Sequence, residues 1–93
     1  MLIRVRFFGD LRKSMDKRWM IVEVPHNSTL LELITNIASN LDSSLLDKLV
    51  EKNAVRSEIR ILVNGRNINY LNKLDTKLSD GDVVTIMPIA GGG

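Results

Sequence analysis

The sequence predicts an α+β domain, a mixed sheet of four to five strands with one main helix and one short helix laid on one face. Three observations predict it: an alternating apolar stretch opens the chain, one amphipathic helix pattern lies between two hairpin signals, and a hydrophobic run stands near the C-terminus. That run, Val83-Val84-Thr85-Ile86-Met87, is β-branched and apolar, so it is expected at the centre of the sheet, parallel to the first strand, with Val84 and Ile86 buried. A chain of 93 residues suits one domain with a single modest core, burying on the order of 60–70% of its unfolded surface.

Leu2 to Phe8 alternates, with Ile3, Val5 and Phe7 on one face and Arg4 and Arg6 on the other, which describes a strand with one wet side. Gly9 to Lys17 is polar apart from Leu11 and Met15 and reads as a loop or short turn. Trp19 to Val24 resumes a period of two, with Met20, Val22 and Val24 on one face, and Pro25-His26-Asn27-Ser28 stops it. These two strands form a hairpin. Thr29-Leu30-Leu31-Glu32 fits a capping box, so a helix starts there and runs to about Asn40. Its apolar stripe is Leu30, Leu33, Ile34, Ile37, Ala38 and Leu41. Ser43 or Ser44 caps a second short helix carrying Leu45, Leu46, Leu49 and Val50.

Ile59 to Val63 is a strand, and Asn64-Gly65 signals a type I′ hairpin turn into a short strand, Arg66-Asn67-Ile68. Tyr70 to Lys77 is an irregular connector pinned by Leu71, Leu74 and Leu78. Asp80-Gly81-Asp82 is turn chemistry ahead of the last strand. Pro88, lacking an N–H, is expected to end that strand's ladder, and Gly91-Gly92-Gly93 to project free.

Composition removes most chemistries. With no cysteine there is no disulfide framework, thiolate nucleophile or persulfide carrier in the chain itself. His26 is the one histidine and sits in a turn, so neither a triad nor a multi-histidine metal site is expected. No glycine lies between a strand and a helix as a phosphate-binding loop requires. No apolar run approaches the ~20 residues of a membrane span, and Arg4 and Arg6 interrupt the first apolar stretch, so a cytoplasmic protein is expected. The charge of +2 is mild. Its positives cluster at Arg4, Arg6, Arg12, Lys13, Lys17 and Arg18, but with few aromatics interleaved they read as a charged sheet edge rather than a nucleic-acid surface. Phe8, Met87 and Ile89 should lie near one edge or on the open face, where they either finish the core or form a partner surface.

Terminal glycines cost ordering entropy and give no burial. Without Cβ atoms they can pass extended through a narrow channel, Pro88 to Gly93 reaching roughly 20 Å. From the residues alone the tail is either a frayed end or a reagent whose α-carboxylate reacts in a partner's active site.

The whole chain resembles the MoaD/ThiS sulfur carriers, especially the archaeal MoaD-like proteins, within the ubiquitin-like β-grasp group. The motifs that carry the resemblance are V-R-F-F-G-D-L-R at Val5 to Arg12, T-L-L-E-L at Thr29 to Leu33, and L-x-D-G-D-x-V at Leu78 to Val84, running through Pro88 to the glycines. It implies a β-grasp domain over 1–90 and a flexible tail over 91–93. It further implies that Gly93 bears an acyl adenylate and then a thiocarboxylate, that Gly92 and Gly91 thread a channel, and that Phe8, Met87, Pro88, Ile89 and Ala90 dock the tail base on a partner. The implied partners are a ubiquitin-activating-type adenylating enzyme, which uses the ATP, and a MoaE-like large subunit with which the chain forms molybdopterin synthase. The chain is expected not to be catalytic alone, and to bind no cofactor, metal, nucleic acid or membrane itself. Small archaeal modifiers share the scaffold, so conjugation to target-protein lysines, or tRNA thiolation, is the alternative use of the same tail, with a non-carrier interaction module as the third. The chain departs from the archaeal pattern with Ile89 where a second proline is common and with three final glycines rather than two, which leaves Gly93 or a trimmed Gly92 as the working terminus.

Overall fold

The computed structural model describes residues 1–9 and 19–89. Strands β1 (Leu2–Phe7), β2 (Trp19–Glu23), β5 (Ile59–Val63), β6 (Arg66–Asn67) and β7 (Val83–Pro88) build a five-stranded sheet in the order β2-β1-β7-β5-β6. Helices α1 (Leu30–Asn40) and α2 (Leu45–Leu49) follow the first hairpin, and a separate two-stranded hairpin joins β3 (Val50–Glu51) to β4 (Ala54–Val55). Two single turns of 3₁₀ helix, Ile68–Tyr70 and Lys73–Asp75, form the connector to β7. This is the ubiquitin-like β-grasp arrangement.

Burying the apolar faces of strands and helix in one layer organises the fold. Ile3, Val5 and Phe7 of β1, Val84 and Ile86 of β7, and Leu30, Leu33, Ile34 and Ile37 of α1 are all essentially inaccessible. Because β7 pairs in parallel with β1 (Val5 opposite Val84, Phe7 opposite Ile86) and antiparallel with β5 (Ile61 opposite Ile86), its apolar residues are enclosed from both sides. The capping box forms: the Glu32 amide donates to Thr29 Oγ1 at 3.3 Å, and the Thr29 amide donates to Glu32 Oε1 at 2.9 Å. Asn64 and Gly65 take the positive φ values of 52° and 84° that the tight turn requires.

Several local expectations are corrected. Leu41 does not join the stripe; it is the C-cap of α1, with φ −123°, and is 58% exposed. Ser44 stands at the N-cap of α2, yet its hydroxyl caps no amide there; it donates to Asp42 Oδ1 at 2.6 Å, and the Ser44 amide donates to the same oxygen at 3.0 Å. These two hydrogen bonds, the hydroxyl's first, hold the Asp42 carboxyl below its ordinary range. Val50 belongs not to α2 but to β3, because the chain turns extended there to pair with Val55. The expected loop over Gly9 to Lys17 lies outside the described residues beyond Gly9.

Pro88 ends one ladder and not the other. The antiparallel pairing with β5 continues through Ile59 opposite Pro88, and the Ile89 amide donates to the Glu58 carbonyl at 2.8 Å. Amides alternate in direction along a strand, so Pro88's missing N–H falls on the β1 side, where the register stops at Phe7 opposite Ile86.

The turn before β7 does more than reverse the chain. Asp80 Oδ1 accepts from the Leu2 amide at 2.7 Å, and the Gly81 amide donates to the Leu2 carbonyl at 2.8 Å, fixing the start of β1. Asp82 accepts from the Ser79 amide at 2.7 Å and from the Asn64 side-chain amide at 2.9 Å, while Asn64 Oδ1 accepts from the Val83 amide at 2.9 Å. Turn and hairpin are thus tied together at the end of the sheet opposite the tail.

Candidate functional site

The C-terminal end of β7 and the sheet face away from α1 form the candidate site. Register places the open-face residues in rows across strands. Ile21, Arg4 and Val83 share one row; Trp19, Arg6, Thr85, Leu62 and Asn67 share the next. In the third row Met87 lies opposite Arg60, and Phe8, whose amide donates to the Ile86 carbonyl at 3.1 Å, flanks Met87 on the other side. Leu2 is 52% exposed and Ile21 is 64% exposed, so these apolar side chains of β1 and β2 lie uncovered on this face beside the charged ones.

Phe8 and Met87 are half-buried, Pro88 is exposed and Ile89 is 37% exposed. The structure brings these four to the same end of the molecule, around the point where the chain leaves the sheet. Phe8 therefore does not finish the core, in contrast to Phe7. Ala90, Gly91, Gly92 and Gly93 lie outside the described residues. Beside Ile89, a shallow hollow of about 170 Å³ lined by Arg56, Arg60, Asn67 and Asn69 opens along the outer side of β5.

One residue of this region escaped sequence reasoning. Gly9, at φ +64°, lies so close to Pro88 that a Cβ on it would fall 2.6 Å from Pro88 Cγ and 3.1 Å from Cδ. The segment leaving β1 is thereby packed against the base of the tail, and only a glycine permits both the backbone angle and the approach. Gly9→Ala is expected to cost about 1–3 kcal/mol, through strain and displacement of Pro88. Denaturant unfolding checks this, and a loss under about 0.5 kcal/mol, as at an ordinary surface site, contradicts the close packing.

Among the described residues no group of three or more His, Cys, Asp or Glu side chains could hold a metal, and no helix is long and apolar enough to cross a membrane. What the described residues of the site present is contact surface, shape and a strand leading to the tail.

Comparison with known proteins agrees with this architecture. The family model described as ThiS family matches residues 5–93. The chain is 28% identical over 93 residues, the full length of both, to small archaeal modifier protein 3 of Haloferax volcanii. It is 30% identical over 73 residues, covering 77% of this chain and 83% of the other, to a putative sulfur carrier protein of Archaeoglobus fulgidus. Among solved structures, a chain of the Amycolatopsis orientalis BexX/CysO complex superimposes with a TM-score of 0.82 at 26% identity, covering 98% of this chain and 99% of that one.

Proposed function

The chain belongs to the ThiS family of sulfur carriers and ubiquitin-like modifiers, and from that membership we propose that its working group is the α-carboxylate of Gly93. A carboxylate is a poor electrophile. Attack by it on the α-phosphorus of ATP, in the active site of a ubiquitin-activating-type enzyme, forms an acyl adenylate and releases pyrophosphate. A sulfide then attacks the acyl carbon and expels AMP, leaving a thiocarboxylate. The finer role we assign is that of the small subunit of a molybdopterin synthase, donating this sulfur to a pterin precursor inside a MoaE-like partner.

The observation that carries the reading is that β7, the central strand of the sheet, delivers the tail base to an exposed end: Val84 and Ile86 are fully buried, whereas Pro88 and Ile89 are exposed beside half-buried Phe8 and Met87. A rigid body with an apolar collar around the root of a side-chain-free tail suits a reagent presented to a partner's channel. In that arrangement Gly91 and Gly92 occupy the channel, and Phe8, Met87, Pro88, Ile89 and Ala90 seat the body at its mouth.

Conjugation to target lysines is the second reading, favoured by the full-length similarity to a small archaeal modifier. There the acyl adenylate passes to a cysteine of the activating enzyme and then to a lysine amine. Both readings share the activation step, and ATP-dependent pyrophosphate exchange with the adenylating enzyme of the same organism tests it. The intact chain is expected to support exchange; none at saturating chain and ATP contradicts the proposal.

A further inference from the structure

The charged centre of the open sheet face has a construction that a merely solvated face does not need. Arg6 projects from the middle row with its guanidinium carbon 4.6 Å from the Trp19 ring centroid and 4.9 Å from that of Phe8. Two aromatic walls hold the planar group by cation–π attraction and stacking. Its Nε is buried and has no hydrogen-bond partner, and no ion pair to a described residue accompanies the stacking. The other described face residues nearby do not supply one: Arg4 lies two residues along β1, Arg60 lies opposite Met87 in the adjacent row, and Glu23, opposite Leu2, is the one carboxylate among the described residues that register places on this face.

A guanidinium carries five N–H donors and no acceptor. Leaving the buried Nε of Arg6 unanswered is costly, and fixing the stem between two rings removes in advance the rotamer entropy that a long cation normally loses on binding. We propose that Arg6, clamped between Phe8 and Trp19, is a specificity residue that receives a carboxylate of the adenylating enzyme when the tail is inserted. The inference rests on the functional reading above, because a protein that encloses the tail at Met87 and Pro88 also covers the neighbouring row. Charge decides the chemistry of the occupant. Among the described residues that register places on this face, Arg4, Arg6 and Arg60 stand against Glu23 alone, an excess of positive charge that calls for an acidic side chain, with the planar fork taking both carboxylate oxygens.

The test is the concentration dependence of pyrophosphate exchange with the intact chain and the adenylating enzyme. Arg6→Ala is expected to raise KM for the chain about ten- to a hundredfold with kcat nearly unchanged, as for loss of a charge-assisted hydrogen-bonded pair made at docking. Arg6→Lys keeps the charge but not the fork and is expected to recover only part of the loss. Trp19→Leu removes one wall and should give an intermediate rise. Should Arg6→Ala lower the melting temperature, the comparison of Arg6→Lys and Trp19→Leu with the parent decides. A parent that supports exchange and variants with unchanged KM overturn the clamp and leave the functional reading standing. A fall in kcat at constant KM also overturns it. A parent that supports no exchange removes both.

Discussion

Deleting Gly92 and Gly93 is expected to abolish pyrophosphate exchange while moving the melting temperature by no more than about 1–2 °C, the scale of a change of a few tenths of a kcal/mol in a domain of this size. Neither residue has a side chain to bury, so the domain loses no packing, yet the carboxylate retreats by two residues, roughly 7 Å of extended chain. Gly92→Val separates threading from loose attachment, since it keeps the carboxylate and the length. A β-branched side chain widens the tail and narrows the φ/ψ values it can adopt, so exchange or sulfur transfer should fall sharply with free-protein stability unchanged. Equal exchange from the parent and the deletion removes the tail from the mechanism; equal transfer from Gly92→Val removes the channel.

The largest expected effect on stability is at Ile86. This residue is fully buried in the central strand, between Phe7 on β1 and Ile61 on β5. Ile86→Ala removes atoms from a site that neighbours on both sides hold open, and is expected to cost about 2–5 kcal/mol, read as a lowered urea midpoint with the slope unchanged. A loss under about 1 kcal/mol, typical of surface positions, contradicts a central placement.

How much of this was legible depended on the range of the interaction. The period of two in Ile3, Val5 and Phe7, the capping box at Thr29 to Glu32 and the Asn64-Gly65 turn are local signals, and each led to the right element. The β3–β4 hairpin was not read, because its turn residues, Lys52 and Asn53, adopt positive φ (53° and 64°) without a glycine to announce it. Leu41 fits the helical spacing but comes one residue after the helix has ended, so periodicity alone assigned it wrongly. At the site, the gathering of Phe8, Met87, Pro88 and Ile89 follows from parallel pairing of the first and last strands. The fit of Gly9 to Pro88 and the stacking of Arg6 on Trp19 and Phe8 depend on side-chain geometry between strands. In sequence Arg6 is only the polar half of an alternating strand. The basic residues Arg12, Lys13, Lys17 and Arg18 and the four final residues lie outside the described part of the chain, so their expected roles rest on sequence and family.

The central claim, that the α-carboxylate of Gly93 is the reacting group, is tested most directly by mass spectrometry of the C-terminal peptide of the chain purified from its own host. The account predicts a population in which one oxygen of the terminal glycine is replaced by sulfur, and alkylation of that sulfur should mark Gly93, or Gly92 if the tail is trimmed. Gly-Gly-Lys branches on other proteins in place of that population would keep the carboxylate as the reacting group but transfer the role to lysine conjugation. An unmodified terminal carboxylate throughout, with no branched peptides in the host proteome, would contradict the claim.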